Sequence, residues 1–179
     1  MDAATALYAS AAVLLVLAGV VKMARPANTA GLLDALVAPS FDRLNTTRLA
    51  FGLGVFEIVL GLAALVAEIA AVAVVVGVLY GVFAVIVWRA MRIGAGTCGC
   101  FGRVDAPPSW WHVVGNGAFA ACSFVAAAGR SPLAVMEGQP FGGLGFVVLV
   151  GVLAGLALVV FTAIPEAMEA RRSTARARS

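Results

Sequence analysis

The chain has 179 residues, of which 63% are hydrophobic and 12% charged, with a net charge of +3 and a mean hydropathy of +1.04. Soluble domains are roughly 45–50% apolar and about 25% charged, so this composition excludes an ordinary soluble globular protein. The positive charge comes from basic residues that flank apolar runs, and no nucleic-acid partner is expected.

Five apolar runs, each long enough to cross a lipid bilayer, follow one another along the chain. They are residues 5–21, 49–67, 69–88, 109–128 and 141–164. Each comes near the roughly 20 residues that a helix needs to span the hydrocarbon core, where every backbone N–H and C=O must be paired. The predicted fold class is therefore all-α, a small bundle of transmembrane helices. The second and third helices should meet near Glu68, although no glycine, proline or asparagine marks a turn there.

The polar segments between the runs are expected to lie at the membrane surfaces. Within residues 25–45, the stretch 29–37 has helical spacing of its leucines and predicts a short helix on the membrane interface. Residues 129–140 are interpreted as an outer loop. The fifth span is expected to end at Pro165, where its apolar run stops.

The distribution of basic residues predicts the orientation in the cell membrane. With the N-terminus outside, residues 22–48 and 89–108 and the tail after the fifth run lie in the cytoplasm. These segments hold every lysine and arginine except Arg130, as the positive-inside rule requires. The first run follows Asp2 and no basic residue, so it is interpreted as a retained helix and not as a cleaved signal peptide.

The loop before the fourth run carries the clearest chemical motif. It reads GAGTCGCFGRVDAPPSWWH, residues 94–112, and places Cys98 and Cys100, two of the three cysteines in the chain, one glycine apart. Gly99 would allow so small a ring to close, and a strained, exposed disulfide exchanges readily. Nearby arginines favour a thiolate. The alternatives are two incidental thiols in a reducing compartment, or a zinc site with His112 as third ligand.

Polar side chains inside the apolar runs are the next candidates. Glu57 lies roughly 13 Å into the second span and Asn116 about 10 Å into the fourth from the same side, so the two are expected to share a layer. An ionisable group at that depth is a functional candidate, and the alternative is a glutamate that fixes helix packing. His112 is either a proton shuttle or an ordinary interfacial histidine. Cys122, about 20 Å deep, is interpreted as a packing residue out of reach of the cysteine pair.

Four stretches together resemble the MauE family, which comprises membrane proteins of methylamine utilisation related to DoxX. They are CGCFG before the fourth run, FEIVLGL in the second, AGVVKMARP with Lys22 at the end of the first, and SWWHVVGN in the fourth. The resemblance implies a DoxX/MauE-like four-helix domain in residues 1–128. Residues 129–179 would add an outer loop, a fifth transmembrane helix and a basic cytoplasmic tail. Gly115 departs from the family pattern, in which a basic residue is expected.

The resemblance also implies a function in thiol chemistry. MauE proteins are associated with maturation of the disulfide-rich small subunit of methylamine dehydrogenase, alongside a thioredoxin-like partner. We therefore expect a membrane thiol-disulfide oxidoreductase that assists an exported client, with Cys98 and Cys100 as its catalytic residues. The supporting candidates are Glu57, His112, Asn116 and Lys22. The alternatives are a non-catalytic DoxX-like subunit that docks a soluble oxidoreductase and, disfavoured by the few polar residues inside the spans, a small transporter.

The predicted orientation leaves one step of such a function open. A cytoplasmic cysteine pair meets a reducing compartment, and Cys122 is too deep to relay its electrons. No bound cofactor is indicated by the sequence. Either a partner protein or a quinone would then carry the electrons onward, or the orientation is inverted.

Overall fold

The computed structural model describes residues 3–36, 43–94 and 108–176, and this part of the chain is helical without any β-strand. The helices are α1 (Ala3–Ala24), α2 (Pro26–Leu36), α3 (Arg43–Val66), α4 (Ala70–Ile93), α5 (Trp110–Ala126), α6 (Pro132–Glu137), a short 3-10 helix (Pro140–Gly143) and α7 (Leu144–Arg176). The predicted all-α fold is thus confirmed.

Among the described helices, four are long and apolar enough to cross a membrane. They are Ala3–Ala24, Asn45–Val66, Ala70–Ile93 and Pro140–Pro165. The predicted span 109–128 forms α5, whose 17 residues stand at the lower limit of the roughly 17–25 that a span needs. It packs against α4, α1 and α7 and completes the bundle. The chain is therefore a multi-pass membrane protein.

The short connections agree with the sequence in two places. α3 ends at Val66 and α4 begins at Ala70, which confirms the break predicted near Glu68. The predicted short helix in residues 29–37 is also present, although it begins earlier, at Pro26. Proline suits a first helical position, because its missing N–H would have no partner there.

The segment 129–140, which the sequence suggested was a loop, contains the six-residue helix α6. The side chain of Ser131 caps it by accepting a hydrogen bond from the backbone N–H of Ala134 at 3.2 Å, and Pro132 occupies the first helical turn. This Ser-Pro pair is a helix-start signal of the ordinary kind. The connection between the fourth and fifth spans therefore contains one short helix.

Helix α1 is the most deeply buried of the spans and lies at the centre of the bundle, in contact with α2, α3, α5, α6 and α7. Its closest neighbour is α3. A Cβ atom added to Gly19 would lie 2.5 Å from the carbonyl oxygen of Gly54, and one added to Gly54 would lie 2.8 Å from that of Gly19. Only glycine permits this approach of two backbones. The contact lies one helical turn from Lys22 in α1 and from Glu57 in α3, and so brings these two side chains within reach of each other.

Candidate functional site

The Cys98/Cys100 pair falls in residues 95–107, outside the described part of the chain, but the ends of that segment are placed. Gly94 terminates α4 in a left-handed conformation, with φ 68° and ψ 34°, and Ser109 stands at the start of α5. Glycine adopts such a φ without steric cost. Residues near both helix ends, Val87 and His112, line one cleft with Lys22 near the end of α1. Gly94 and Ser109, the described residues on either side of the cysteine-bearing segment, therefore lie toward the end of the bundle where this cleft lies.

The most strongly polar feature inside the bundle is an ion pair between Lys22 and Glu57, which we call the buried ion pair. The Lys22 Nζ lies 2.9 Å from both carboxylate oxygens of Glu57, and the two side chains are only 5% and 0% exposed. The ammonium also lies 5.6 Å from the ring centroid of Phe83, within the range of a cation–π interaction. Ionisable groups in a membrane-spanning region are costly unless paired, and this pairing meets that requirement.

The buried ion pair revises what the sequence predicted for Glu57. The sequence predicted that Glu57 shares a layer with Asn116, and it located Lys22 at the end of the first apolar run. In the structure Lys22 is buried, and the amide of Asn116 donates to the backbone carbonyl of His112 on its own helix at 2.7 Å. Asn116 and Lys22 line the same cleft. The polar partner of Glu57 is nevertheless a lysine on another helix.

Burial and contacts with two neighbouring residues fix the orientation of the His112 ring. Its ring is 2% exposed, its Nδ1 lies 2.9 Å from the Ser109 hydroxyl, and it stacks on the ring of Phe161 with centroids 5.3 Å apart and planes 16° apart. The ring also makes a hydrogen bond with the backbone of Phe161. Gly115, one turn further along α5, leaves room for this aromatic ring, because an added Cβ would lie 2.3 Å from it.

Because of Pro165, the backbone carbonyl of Phe161 can accept a hydrogen bond from outside its own helix. A helical carbonyl normally accepts from the N–H four residues ahead, and proline has none, so the Phe161 carbonyl lacks its partner within the helix. We infer that an imidazole N–H of His112 donates to this carbonyl instead. With Nδ1 facing the Ser109 hydroxyl, the donor is Nε2. Helix α7 continues through Pro165 to Arg176, whereas its part that is apolar enough to span a membrane ends at Pro165, as the fifth apolar run predicted.

Replacing Pro165 with alanine should release His112 from α7. The new N–H at position 165 would bond the Phe161 carbonyl, and the imidazole would lose this acceptor. The new helical hydrogen bond offsets part of the loss, but a buried imidazole N–H without an acceptor costs about 1–3 kcal/mol, so the free energy of unfolding should fall by no more than about 3 kcal/mol. His112 is the single histidine of the chain, so NMR of protein labelled with ¹⁵N-histidine and carrying a histidine-free tag reports on it alone. The wild type should show the Nε2–H tautomer, and Pro165→Ala a mixture.

The matched control is Pro140→Ala, which alters an exposed proline at the start of the 3-10 helix. It should leave the histidine spectrum as in the wild type. An unchanged spectrum in Pro165→Ala would contradict the assignment of the hydrogen bond to the carbonyl of Phe161.

The cleft that these residues line lies between α1, α2, α3, α4, α5 and α7. Its inner cavity measures about 60 Å³, and the empty space counted together with its mouth is about 710 Å³. Aliphatic side chains form most of the wall, among them Leu32 and Leu33 of α2. The polar and aromatic residues include Lys22, Thr29, Phe83, His112, Asn116 and Phe161. Of these, the sequence singled out only Lys22, His112 and Asn116.

Cys122 lies apart from this cleft. It is a free, half-buried thiol on α5, among Phe119, Leu153 and Ala157. Ten residues separate it from His112, which is about 15 Å along a helix. These surroundings are apolar, as expected of a packing cysteine.

The family described as methylamine utilisation protein MauE matches residues 2–129, which include α1 to α5, the buried ion pair and the cysteine motif. Helices α6 and α7, with Phe161 and Pro165, lie beyond the match. Neither the curated proteins nor the solved structures gave a match. Because the family match covers well over half of the chain, this membrane protein belongs to the MauE family of methylamine-utilisation proteins.

Proposed function

We propose that the protein is a membrane thiol-disulfide factor of MauE type. Its Cys98/Cys100 pair would exchange electrons with a thioredoxin-like protein while disulfides form in an exported client, such as the small subunit of methylamine dehydrogenase. The observation that carries the proposal is the Cys-Gly-Cys motif itself, which holds two of only three cysteines in the chain. Its support in the structure is the anchoring of both ends of the segment beside a cleft with a buried ion pair.

The proposed exchange uses two thiol-disulfide steps. A thiolate of the partner attacks one sulfur of the Cys98–Cys100 disulfide, which forms a mixed disulfide and releases the other cysteine as a thiolate. The second thiol of the partner then displaces the bound cysteine. The partner gains one disulfide, and the pair gains two electrons and two protons as two thiols. For another cycle, an electron acceptor must reoxidise the pair.

With one cysteine of the pair removed, the thiolate of the other can still attack the disulfide of the oxidised partner and form a mixed disulfide, and this protein then has no second cysteine to resolve it. In one of the variants Cys98→Ser and Cys100→Ser, we expect a covalent complex with a thioredoxin-like protein to rise from undetectable to a large share of the protein. Reductant should release it. Non-reducing gels of cells lysed in acid with a thiol-blocking reagent measure the complex, and mass spectrometry identifies the partner.

The control for trapping is Cys122→Ser, which should form no complex. The double variant Cys98→Ser/Cys100→Ser should form none either. The proposal fails if neither single variant traps a thiol protein, or if the double variant traps the same one. A non-catalytic subunit that docks a soluble oxidoreductase is the function that such a result would favour.

The orientation of the pair is a separate part of the proposal. From the basic residues, we place the N-terminus outside and the cysteine segment and C-terminus in the cytoplasm. In a Cys122→Ser background, a membrane-impermeant maleimide added to intact cells should leave Cys98 and Cys100 unlabelled, and should label them after permeabilisation. Glu137→Cys, which places a thiol at an exposed position of α6, should be labelled in intact cells.

This labelling experiment decides where the client meets the pair. A cytoplasmic pair serves the client before export or through the thioredoxin-like partner. Labelling of Cys98 or Cys100 from outside would reverse the orientation and place the pair in the compartment where exported proteins acquire disulfides.

A further inference from the structure

The cleft beneath α2 contains polar groups whose hydrogen-bonding capacity is not used. Asn116 is 6% exposed, and its one hydrogen bond is the donation from Nδ2 to the His112 carbonyl. An amide has two N–H donors and a carbonyl acceptor, so a second N–H and the oxygen Oδ1 have no partner within the part of the chain that the structure describes. Buried groups of this kind are rare in native proteins and call for an explanation.

Lys22 faces the same cleft with a donor to spare. An ammonium has three N–H groups, and Glu57 accepts from it through two oxygens, each at 2.9 Å. Among the backbone and side-chain atoms that the structure describes, no oxygen or nitrogen accepts the third, and the ammonium instead lies near the ring of Phe83. A ligand that reaches Lys22 and Asn116 together should therefore offer at least one acceptor oxygen.

The rest of the wall restricts the ligand to a lipid-soluble one. Aliphatic side chains from α1, α2, α3 and α4 dominate the lining, and Leu32 and Leu33 on α2 belong to it. Phe83 and Phe161 supply flat aromatic walls. The inner cavity of about 60 Å³ is smaller than the roughly 150 Å³ that holds a benzene ring. A ring would thus lie in the wider cleft, with an oxygen directed inward at Lys22 and Asn116.

We propose that this cleft binds the head group of a membrane quinone. A quinone carbonyl accepts hydrogen bonds, and the hydroxyl of the reduced quinol donates one. Asn116 can serve both states, because its N–H groups donate to the carbonyl and its Oδ1 accepts from the hydroxyl. Lys22 supplies a further donor to the oxidised ring, and the apolar tail leaves through the cleft toward the lipid.

The binding proposal rests on the described residues, and its redox role rests on the proposed function. Oxidation of two thiols to a disulfide releases two electrons and two protons, and reduction of one quinone to quinol takes up both. The ends of the cysteine segment, at Gly94 and Ser109, lie at the same end of the bundle as the cleft. A quinone bound there would be the acceptor that the thiol cycle requires.

The test is a titration of the purified protein in detergent with decylubiquinone, followed by quenching of tryptophan fluorescence. We expect saturable binding that Asn116→Leu weakens at least tenfold, because it removes the polar group and keeps the volume. Leu33→Trp, which fills the cleft from α2 and leaves the polar groups intact, should weaken it similarly and decides the matter if Asn116→Leu fails to fold. Ser123→Ala, on α5 outside the cleft, should bind within twofold of the wild type.

Three results would overturn the proposal. They are an absence of saturable binding, equal affinity in the wild type and Leu33→Trp, and displacement by decanol as effective as by a second quinone. The variant Cys98→Ser/Cys100→Ser should bind decylubiquinone like the wild type. Failure of the thiol function therefore leaves this site standing, and failure of binding leaves the trapping experiment unaffected.

Discussion

Lys22→Met should destabilise the bundle by roughly 3–5 kcal/mol, because it leaves the carboxylate of Glu57 uncompensated inside the membrane-spanning part of the protein. In the wild type that carboxylate is fully buried and has the Lys22 ammonium 2.9 Å from each oxygen. Glu57→Gln should also destabilise, because an amide cannot balance the ammonium. Unfolding in mixed detergent and SDS measures both effects. Glu68→Gln, at an exposed position just after α3, should change the free energy of unfolding by no more than about 0.5 kcal/mol.

The double variant Lys22→Met/Glu57→Leu separates stability from function. Removing both charges abolishes the desolvation cost together with the attraction, so we expect most of the stability to return. If the double variant is as unstable as the single variants, the two charges do not compensate each other, and the pairing is contradicted. A double variant that folds normally and no longer supports client maturation would show that the charges serve the function and not only the fold.

The sequence was sufficient for the spans and for the break near Glu68, because lipid imposes a strong local pattern. About 20 apolar residues in a row have few other structural solutions. It also led to Lys22, Glu57, His112 and Asn116 as unusual polar residues in apolar surroundings. These assignments depend on residue type and position along one helix, and both can be obtained from a single chain.

The partner of Glu57 could not be obtained in this way. Rise along a helix gives the depth of a residue, whereas its partner depends on the rotation of each helix and on which helices are neighbours. Here the close contact of Gly19 with Gly54 sets the α1–α3 geometry, and the long side chain of Lys22 covers the remaining distance. Depth along the helices suggested only that Asn116 lies in the same layer as Glu57. The amide of Asn116 donates instead to the backbone of its own helix.

The continuation of helix α7 through Pro165 is a second feature that the local sequence pattern could not predict. Proline normally ends or kinks a helix because a carbonyl one turn earlier loses its donor. In this protein the donor comes from His112, on a different helix, and the lost bond is replaced. The signal was present in the sequence, since Pro165 follows Phe161 by four residues. What could not be predicted from this spacing is the contact of Phe161 with the chain's single histidine, which lies 49 positions earlier in the sequence.

Replacing both Cys98 and Cys100 with serine should abolish maturation of the client while the protein stays in the membrane at normal abundance. Serine is nearly isosteric with cysteine and cannot form a disulfide, so the change removes electron transfer and little else. In cells that depend on this protein, the disulfide content of the exported client, measured by thiol labelling and mass spectrometry, should fall to the level of a deletion strain. Each single serine variant should fail as well, because exchange through a mixed disulfide needs both sulfurs.

The control for this prediction is the variant Cys122→Ser, which removes the third thiol of the same protein. Cys122 lies on α5 about 15 Å along the helix from His112, in apolar surroundings and outside the cleft. Its replacement should reduce client maturation by less than twofold. If the double serine variant still matures the client at the wild-type level, the thiols are not the working groups. The buried ion pair and its cleft would then have to serve a subunit that binds an oxidoreductase without taking part in its chemistry.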